Sequence, residues 1–293
     1  MTYIPDYLKT YPNMDTAFPF HISLNKLRDG YRKHRHDYLE FSFVVEGSGS
    51  EEINDVVHPM QSGTFTFVLP YQVHQIFTEN GSTLVLYNCM FDINLLTESG
   101  ELESLNSLID QSEVTPYMQL NEEDSARMKR LIEDMYKEYQ GNEPWRRTML
   151  QLRLREVLVL FDRARRMDSC RREERMKATA GARTSIWPII HYIHQHYEDE
   201  LPLSDLAARF SLSVSRISEV IKETTGQNFL QLLNDLRVRQ ACSLLVSTDM
   251  SVSEIALEVG YGSYTTFSRI FREKKKLSPK DYRKQKQTSR YNG

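Results

Sequence analysis

Two stretches of this 293-residue chain repeat one another, and that repeat constrains the fold more than any other feature. LSDLAARFSLSVSRISEVIKE (203–223) aligns with VSEIALEVGYGSYTTFSRIFRE (252–273). Leu206-Ala207 match Ile255-Ala256 at an offset of 49, whereas Ile217 and Ile221 match Phe267 and Phe271 at 50, so the second copy carries one extra turn residue. Each copy reads as a short helix, a tight turn and a second helix. Ala207 and Ala256 are the small residues where the two helices would press together, which is a helix-turn-helix pattern. Ser251 with Glu254 supplies a capping box for the second copy, and Pro202 takes the equivalent place in the first. Between the copies, Phe229, Leu232, Leu233, Leu236, Leu244 and Leu245 predict one amphipathic helix over about 228–246, roughly 27 Å long. That is close to the ~34 Å between successive major-groove faces of B-DNA, so one chain is expected to place two recognition helices in adjacent grooves. Ile186, Ile189, Ile190, Ile193 and Tyr197 predict a further helix upstream.

Charge supports a polyanionic partner for this part. Residues 1–184 carry 22 basic and 28 acidic side chains and residues 185–293 carry 15 and 12, a net −6 against +3. Residues 264–293 alone hold ten Lys and Arg against Glu273 and Asp281. Such a surplus marks a polyanion-binding surface or a solvated tail. On the second helix of copy one, Ile217, Val220 and Ile221 should face inward, leaving Ser215, Arg216, Ser218, Glu219 and Lys222 outward. In copy two, Phe267, Ile270 and Phe271 face inward, leaving Tyr264, Thr265, Ser268, Arg269 and Arg272. Outward residues near a helix start reach base edges, and Arg269 leads the candidates, followed by Tyr264 and Thr265. Taken singly, each also reads as an ordinary solvent-facing position. Lys274, Lys275, Lys276, Lys280, Arg283 and Lys284 are expected to touch phosphate or raise the local potential, and Arg237 to bridge helices.

The N-terminal half has a different rhythm. Short apolar runs at 41–45, 64–69 and 83–87 alternate with turn signals at Gly47–Ser50, Asn54–Asp55, Ser62–Gly63 and Asn80–Gly81, which predicts a β-sandwich or small barrel over about 20–93. From Asn121, a plausible N-cap, the period becomes helical through Met128, Leu131, Ile132, Met135, Tyr136 and Tyr139. A second helix, from near Pro144 to Met167, has two apolar stripes: Leu150, Leu154, Leu158, Phe161 and Trp145, Met149, Leu152, Val159. One would pack on the strands, and the other would meet a second copy of the chain or be wedged inside its own domain. Residues 168–184 have little apolar periodicity and read as a connector, giving domains at 1–167 and 185–293.

His34, His36, Tyr38 and Glu40 alternate, so on one strand all four point to the same face. With His74 they offer three imidazoles and a carboxylate. Such a set suits a divalent metal held by His34, His36, Glu40 and His74, or a polar organic ligand bound directly with no metal present. Tyr38 and Tyr71 would add a stacking face and hydroxyls, or belong to plain core. His58, His191, His194 and His196 show no ligand spacing, and no nucleophile elbow, phosphate-binding glycine loop or paired-carboxylate pattern is present. Cys89, Cys170 and Cys242 lie far apart without CxxC spacing, so neither a disulfide framework nor a zinc site is expected. No leader and no membrane span is read, and a cytoplasmic location is expected.

The run Arg237-Val238-Arg239-Gln240-Ala241-Cys242-Ser243-Leu244-Leu245, then Ile255-Ala256, Val259-Gly260-Tyr261, Phe267-Ser268-Arg269-Ile270-Phe271 and Leu277-Ser278-Pro279-Lys280-Asp281-Tyr282-Arg283, resembles the DNA-binding domain of the AraC/XylS transcription regulators over roughly 186–284. Lys276 stands where that pattern usually has glycine, and Val220-Ile221 replace a leucine-phenylalanine-like pair. His34 to Glu40 with Gly47, then Gly63, Pro70 and His74, resemble the two motifs of a cupin-type sensor domain, with Gln72 and Thr78 in place of glycine and asparagine. The resemblance implies an α+β two-domain regulator: an N-terminal cupin-like β-barrel with flanking helices, then an all-α domain with two helix-turn-helix units. It implies an activator that binds double-stranded DNA and RNA polymerase, forms a homodimer, and responds to a small molecule, by analogy a carbohydrate. A metal-dependent cupin enzyme with a DNA-binding appendage and a ligand-independent regulator are the alternatives.

Overall fold

A computed structural model describes residues 5–8, 10–79, 81–97, 115–173 and 186–291. The described chain divides into two compact units, one of strands and the first three helices, the other of the remaining helices.

The first unit contains ten strands: β1 (Asp6–Leu8), β2 (Phe20–Leu27), β3 (Tyr31–His36), β4 (Leu39–Glu46), β5 (Ser48–Ile53), β6 (Val56–Gln61), β7 (Thr64–Val68), β8 (His74–Thr78), β9 (Leu84–Phe91) and β10 (Tyr117–Gln119). They form two five-stranded sheets, ordered β1-β3-β8-β5-β6 and β10-β7-β4-β9-β2. The expected barrel thus recruits a strand on each side of 20–93. β1 pairs in parallel with β3, and β10 antiparallel with β7. Phe41, Phe65 and Phe91 are buried, with Phe65 stacked on Phe161 at 4.6 Å.

After α1 (Asn94–Thr97), two longer helices follow, α2 (Glu122–Gln140) and α3 (Arg146–Glu173). Asn121 caps α2, its side chain accepting from the Asp124 amide at 2.9 Å. On α3, Leu150, Leu154, Leu158 and Phe161 are buried as one stripe; of the second, Leu152 and Val159 stay 56% and 46% exposed, Met149 is half-buried, and Trp145, 77% exposed, lies just before the helix at φ 66°. The helix runs six residues past the expected end at Met167, into the segment read as connector, because 168–173 contains no proline or glycine to stop it. The rest of that connector, 174–184, lies outside the described residues.

The second unit is helical: α4 (Trp187–Gln195), α5 (Leu203–Arg209), α6 (Val214–Thr225), α7 (Phe229–Ser247), α8 (Val252–Glu258), α9 (Tyr264–Lys275) and α10 (Pro279–Tyr291). The repeat is visible bond for bond. Leu212 N donates to Ala207 O and Tyr261 N to Ala256 O, both at 2.9 Å, and the residues before them, Ser211 and Gly260, both have positive φ. Ser213 and Ser263 cap the recognition helices α6 and α9. Both helices end on a left-handed residue, Gly226 at φ 74° and Lys276 at φ 60°, each donating its N–H to the carbonyl four residues back. Lys276 therefore keeps the turn that glycine makes in the first copy. Ser251 and Glu254 form the expected capping box, whereas Pro202 provides no side-chain cap.

Arg237 bridges as expected: it donates to Tyr197 O at 2.6 Å and Asp199 O at 2.8 Å, and its guanidinium lies over the Tyr261 ring. Gly260 sits where a Cβ would come within 2.4 Å of Glu198 O. These contacts pin the end of α4 to the turn of the second helix pair.

Candidate effector pocket and nucleic-acid interface

The alternation of His34, His36, Tyr38 and Glu40 does not lie on one strand. β3 ends at His36, the chain bends at Asp37–Tyr38, and Glu40 belongs to β4 in the other sheet. The four side chains are nonetheless buried together, because the two sheets face one another across the bend. His36 Nε2 lies 3.4 Å from Glu40 Oε2, and the Tyr38 ring stacks on His36 at 4.0 Å. His34 pairs with His74 across β3 and β8. Tyr71 is buried and joins through its backbone N–H, which donates to His36 O.

The hydrogen bonds fix how the imidazoles point. His34 Nδ1 donates to Arg32 O at 2.8 Å, His36 Nδ1 to Tyr38 O at 2.9 Å and His74 Nδ1 to Glu51 Oε1 at 3.0 Å. Carbonyl and carboxylate oxygens only accept, so each Nδ1 carries a proton and each neutral ring presents its Nε2 lone pair. Ligand atoms of His34, His36 and His74 all lie within 4.8 Å of one another. His36 Nε2 and His74 Nε2 are 3.1 Å apart, a contact that needs a proton or a cation between them. Burial, with His74 nearby, brings His34 down to about 3 and holds His36 well below the usual histidine value. His74 moves up: burial opposes the charge, but its hydrogen bond to Glu51 and the charges of Glu40 and Glu51 outweigh it. His74 is thus the ring suited to supply the shared proton.

Two members of this polar row escaped the sequence reading. Glu51 and His58 are fully buried, and Glu51 bridges His74 on one side and His58 Nε2, at 3.4 Å, on the other. Burial would raise Glu51, yet its hydrogen bonds with His58 and His74 prevail and bring it down to about 2. His58 also meets Thr66 Oγ1 at 3.2 Å and stacks on Tyr117 at 4.1 Å. The signal for this pair was present in the Asn54–Asp55 turn. Both residues have positive φ, as a two-residue hairpin turn requires, and counting outward from it places Glu51 opposite His58. From the facing sheet, Asn88 donates to Glu40 Oε1 at 2.8 Å, while burial pushes Glu40 up. Gln72, in a place where glycine is frequent, accepts from the Leu69 amide at 2.8 Å and so closes its own loop.

A tetrahedral metal holds its nitrogens ~3.4 Å apart, given metal–nitrogen bonds of ~2.1 Å. His36 and His74 are near that spacing at 3.1 Å, and the ligand atoms of all three rings lie within 4.8 Å of one another. Glu51 is placed as the carboxylate behind a metal-bound imidazole. The same lone pairs would accept hydroxyl protons from a polar organic molecule.

On the helical unit, Ile217, Ile221, Phe267 and Phe271 are fully buried. Ser215, Arg216, Glu219, Lys222, Tyr264, Thr265, Arg269, Arg272, Lys280 and Lys284 are exposed, and Ser218 and Ser268 half-buried. The expected outward faces are therefore outward. Three residues read as touching phosphate or raising the local potential are engaged elsewhere, among them Lys275, which pairs with Asp15 at 2.9 Å. Arg283 is half-buried and donates to Leu245 O at 3.1 Å and Met250 O at 2.6 Å, holding α10 to the end of α7. Lys274 pairs with Asp235. Backbone carbonyls left without helical partners near Met250 are better acceptors for Arg283 than distant phosphates, since that bond forms within the fold.

Residues 20–158 match the family of the AraC-like ligand binding domain, and residues 206–285 match a helix-turn-helix domain family. The chain belongs to the AraC family of transcription regulators. It is 26% identical over 262 residues to the HTH-type transcriptional activator RhaS of Enterobacter sp. (strain 638), covering 88% of this chain and 90% of that one. It is 22% identical over 265 residues to the HTH-type transcriptional activator RhaR of Mannheimia succiniciproducens, covering 90% and 91%. Among solved structures, the C-terminal domain of AraT, a response regulator from Geobacillus stearothermophilus, is 33% identical, covers 35% of this chain and 88% of its own, and gives a TM-score of 0.34. As an AraC-family regulator, the chain carries a ligand-binding β domain followed by a DNA-binding helical domain. Among the described residues, no helix is long and apolar enough to cross a membrane.

Proposed function

We propose that this AraC-family regulator is a cytoplasmic, homodimeric activator that binds a specific duplex site, contacts RNA polymerase, and is switched by a small polar effector, a sugar or sugar acid, in the barrel. The observation that carries the reading is the duplicated helix pair, whose matched caps and buried positions leave two outward polar faces, in a chain that also carries a ligand-binding unit. Regulation requires that the effector favour one arrangement with a different affinity for DNA or polymerase. Arg269 is assigned to a base edge, with Tyr264 and Thr265 beside it, and Lys284 to phosphate. On a selected duplex, Arg269→Ala should relax preference at one base position, while Lys284→Ala should weaken all sequences alike. Equal losses on specific and random duplex for Arg269→Ala would refute its role. Mapping of bound sites across the genome identifies the target genes, and a thermal-shift panel of sugars and sugar acids identifies the effector class.

Dimerisation is assigned to the outer stripe of α3, because Leu152 and Val159 are exposed seven residues apart, the repeat of a coiled-coil seam, with exposed Trp145 just before the helix. A second reading of the barrel is favoured by the three clustered imidazoles, whose ligand atoms lie within 4.8 Å of one another: His34, His36 and His74, with Glu40 adjacent, would hold a divalent cation, as effector or as part of its site. Elemental analysis of purified protein separates it from direct binding of an organic effector. No turnover is expected with oxygen or sugar substrates, and stoichiometric metal together with product formation would replace the regulator reading with an enzyme.

A further inference from the structure

The two recognition helices are equivalent in their end caps and unequal in charge. Superposing their caps, Ser213 on Ser263, puts residue n of α6 on residue n + 50 of α9, so Glu219 occupies the position of Arg269 and Arg216 that of Thr266. In α9 the charged side chains are Arg269, Arg272, Lys274 and Lys275 against Glu273, a net +3; Lys274 and Lys275 are paired with Asp235 and Asp15, which leaves Arg269 and Arg272 as its exposed cations. In α6 they are Arg216 and Lys222 against Glu219 and Glu223, a net of zero. The arginines also differ in freedom. Arg216 Nη1 is clamped between Glu219 Oε2 at 2.7 Å and Glu223 Oε2 at 3.8 Å. Arg269 is 70% exposed and stands 3.9 Å from Glu273.

We propose that the two units divide the work of recognition: α9 supplies the electrostatic affinity and reads guanine through Arg269, whereas α6 supplies discrimination through Glu219, which selects a cytosine amino group. The proposal deepens the DNA-binding reading above and rests on it. A carboxylate at the centre of a recognition helix is repelled by phosphate everywhere along a duplex. That repulsion is offset only where a base edge donates a hydrogen bond, and cytosine N4–H is the donor that glutamate accepts in the major groove. Arg216 positions it: by holding Oε2 it leaves Oε1 to face the base and keeps the carboxylate from turning back along the helix. The first unit therefore disfavours random sequence, and the second binds it.

The test uses the full chain, the exposed and fold-neutral substitution Glu219→Gln, and Arg269→Ala as its counterpart, each run through selection from a randomised duplex pool and titration with random-sequence duplex. Glu219→Gln should erase a cytosine preference at one position in one half of the selected site, leave the other half unchanged, and bind random duplex about threefold more tightly at 0.1 M salt. Arg269→Ala should do the reverse, relaxing the other half and weakening random duplex. An unaltered selected site and unaltered random-duplex affinity for Glu219→Gln, with Arg269→Ala behaving as stated, would overturn the division of labour and leave the regulator reading intact. No effect of either substitution would remove both.

Discussion

Lys276 is a lysine in a conformation that glycine adopts without strain, and replacing it isolates a backbone energy. At φ 60°, ψ 11° it terminates α9 in the left-handed region, as Gly226 terminates α6 at φ 74°, ψ 5°. A Cβ there costs about 1–2 kcal/mol, and glycine returns about 0.5–1 kcal/mol of that through the greater freedom of its unfolded chain. Lys276→Gly also removes a positive charge from a helix C-terminus, about 0.3–0.5 kcal/mol when exposed. Lys276→Ala removes the same charge and keeps the Cβ, so the difference between the two variants reports the backbone alone. Glycine should be the more stable by about 0.5–1 kcal/mol, or several degrees in the melting of a unit of roughly 100 residues. Calorimetry of the full chain, following the transition of the helical unit, measures it. Equal melting temperatures for the two variants, or a lower one for glycine, would refute the claim that the turn is strained.

The acid stability of the strand unit should depend on Glu51. Its carboxylate is held at about 2 against an ordinary 4.5, so it contributes about 3 kcal/mol above pH 4.5, lost progressively as pH falls towards 2. Glu51→Gln should flatten that dependence, and parallel acid-unfolding curves for variant and wild type would exclude it. Gly260→Ala, which forces a Cβ onto Glu198 O at positive φ, should destabilise the helical unit by about 2–4 kcal/mol in denaturant titration. Leu154→Ala, in the buried stripe of α3, should cost about 2–5 kcal/mol. Leu152→Ala should leave the folded chain within about 0.5 kcal/mol of wild type but weaken self-association in sedimentation, which a wedged, intradomain stripe would not show.

The helical unit was legible almost residue by residue because its signals are local: the cap at Ser251 with Glu254, small residues at the helix contacts, and a repeat that checks one copy against the other. The strand unit was legible in kind but not in extent. β1 and β10 are three residues each, too short to show alternation, and exist because neighbouring strands offer unpaired backbone. The row of buried polar groups was half legible. His34, His36 and His74 stood out by residue type, while Glu51 and His58 did not, because their meaning lies in a register across strands rather than in spacing along the chain. Arg283 was misread for the opposite reason: surplus charge says how many cations a segment has, not which of them the fold has already engaged.

The Asn54–Asp55 turn has a practical consequence for anyone handling this protein. A surface hairpin tip is ordinarily the place to trim a residue or splice in an epitope. Here, shortening it by a single residue would re-register β5 against β6, turning either Glu51 or His58 out towards water. The interior would then lose its bridging anion through an edit made at the periphery, so a protein-engineering handle belongs at some other loop.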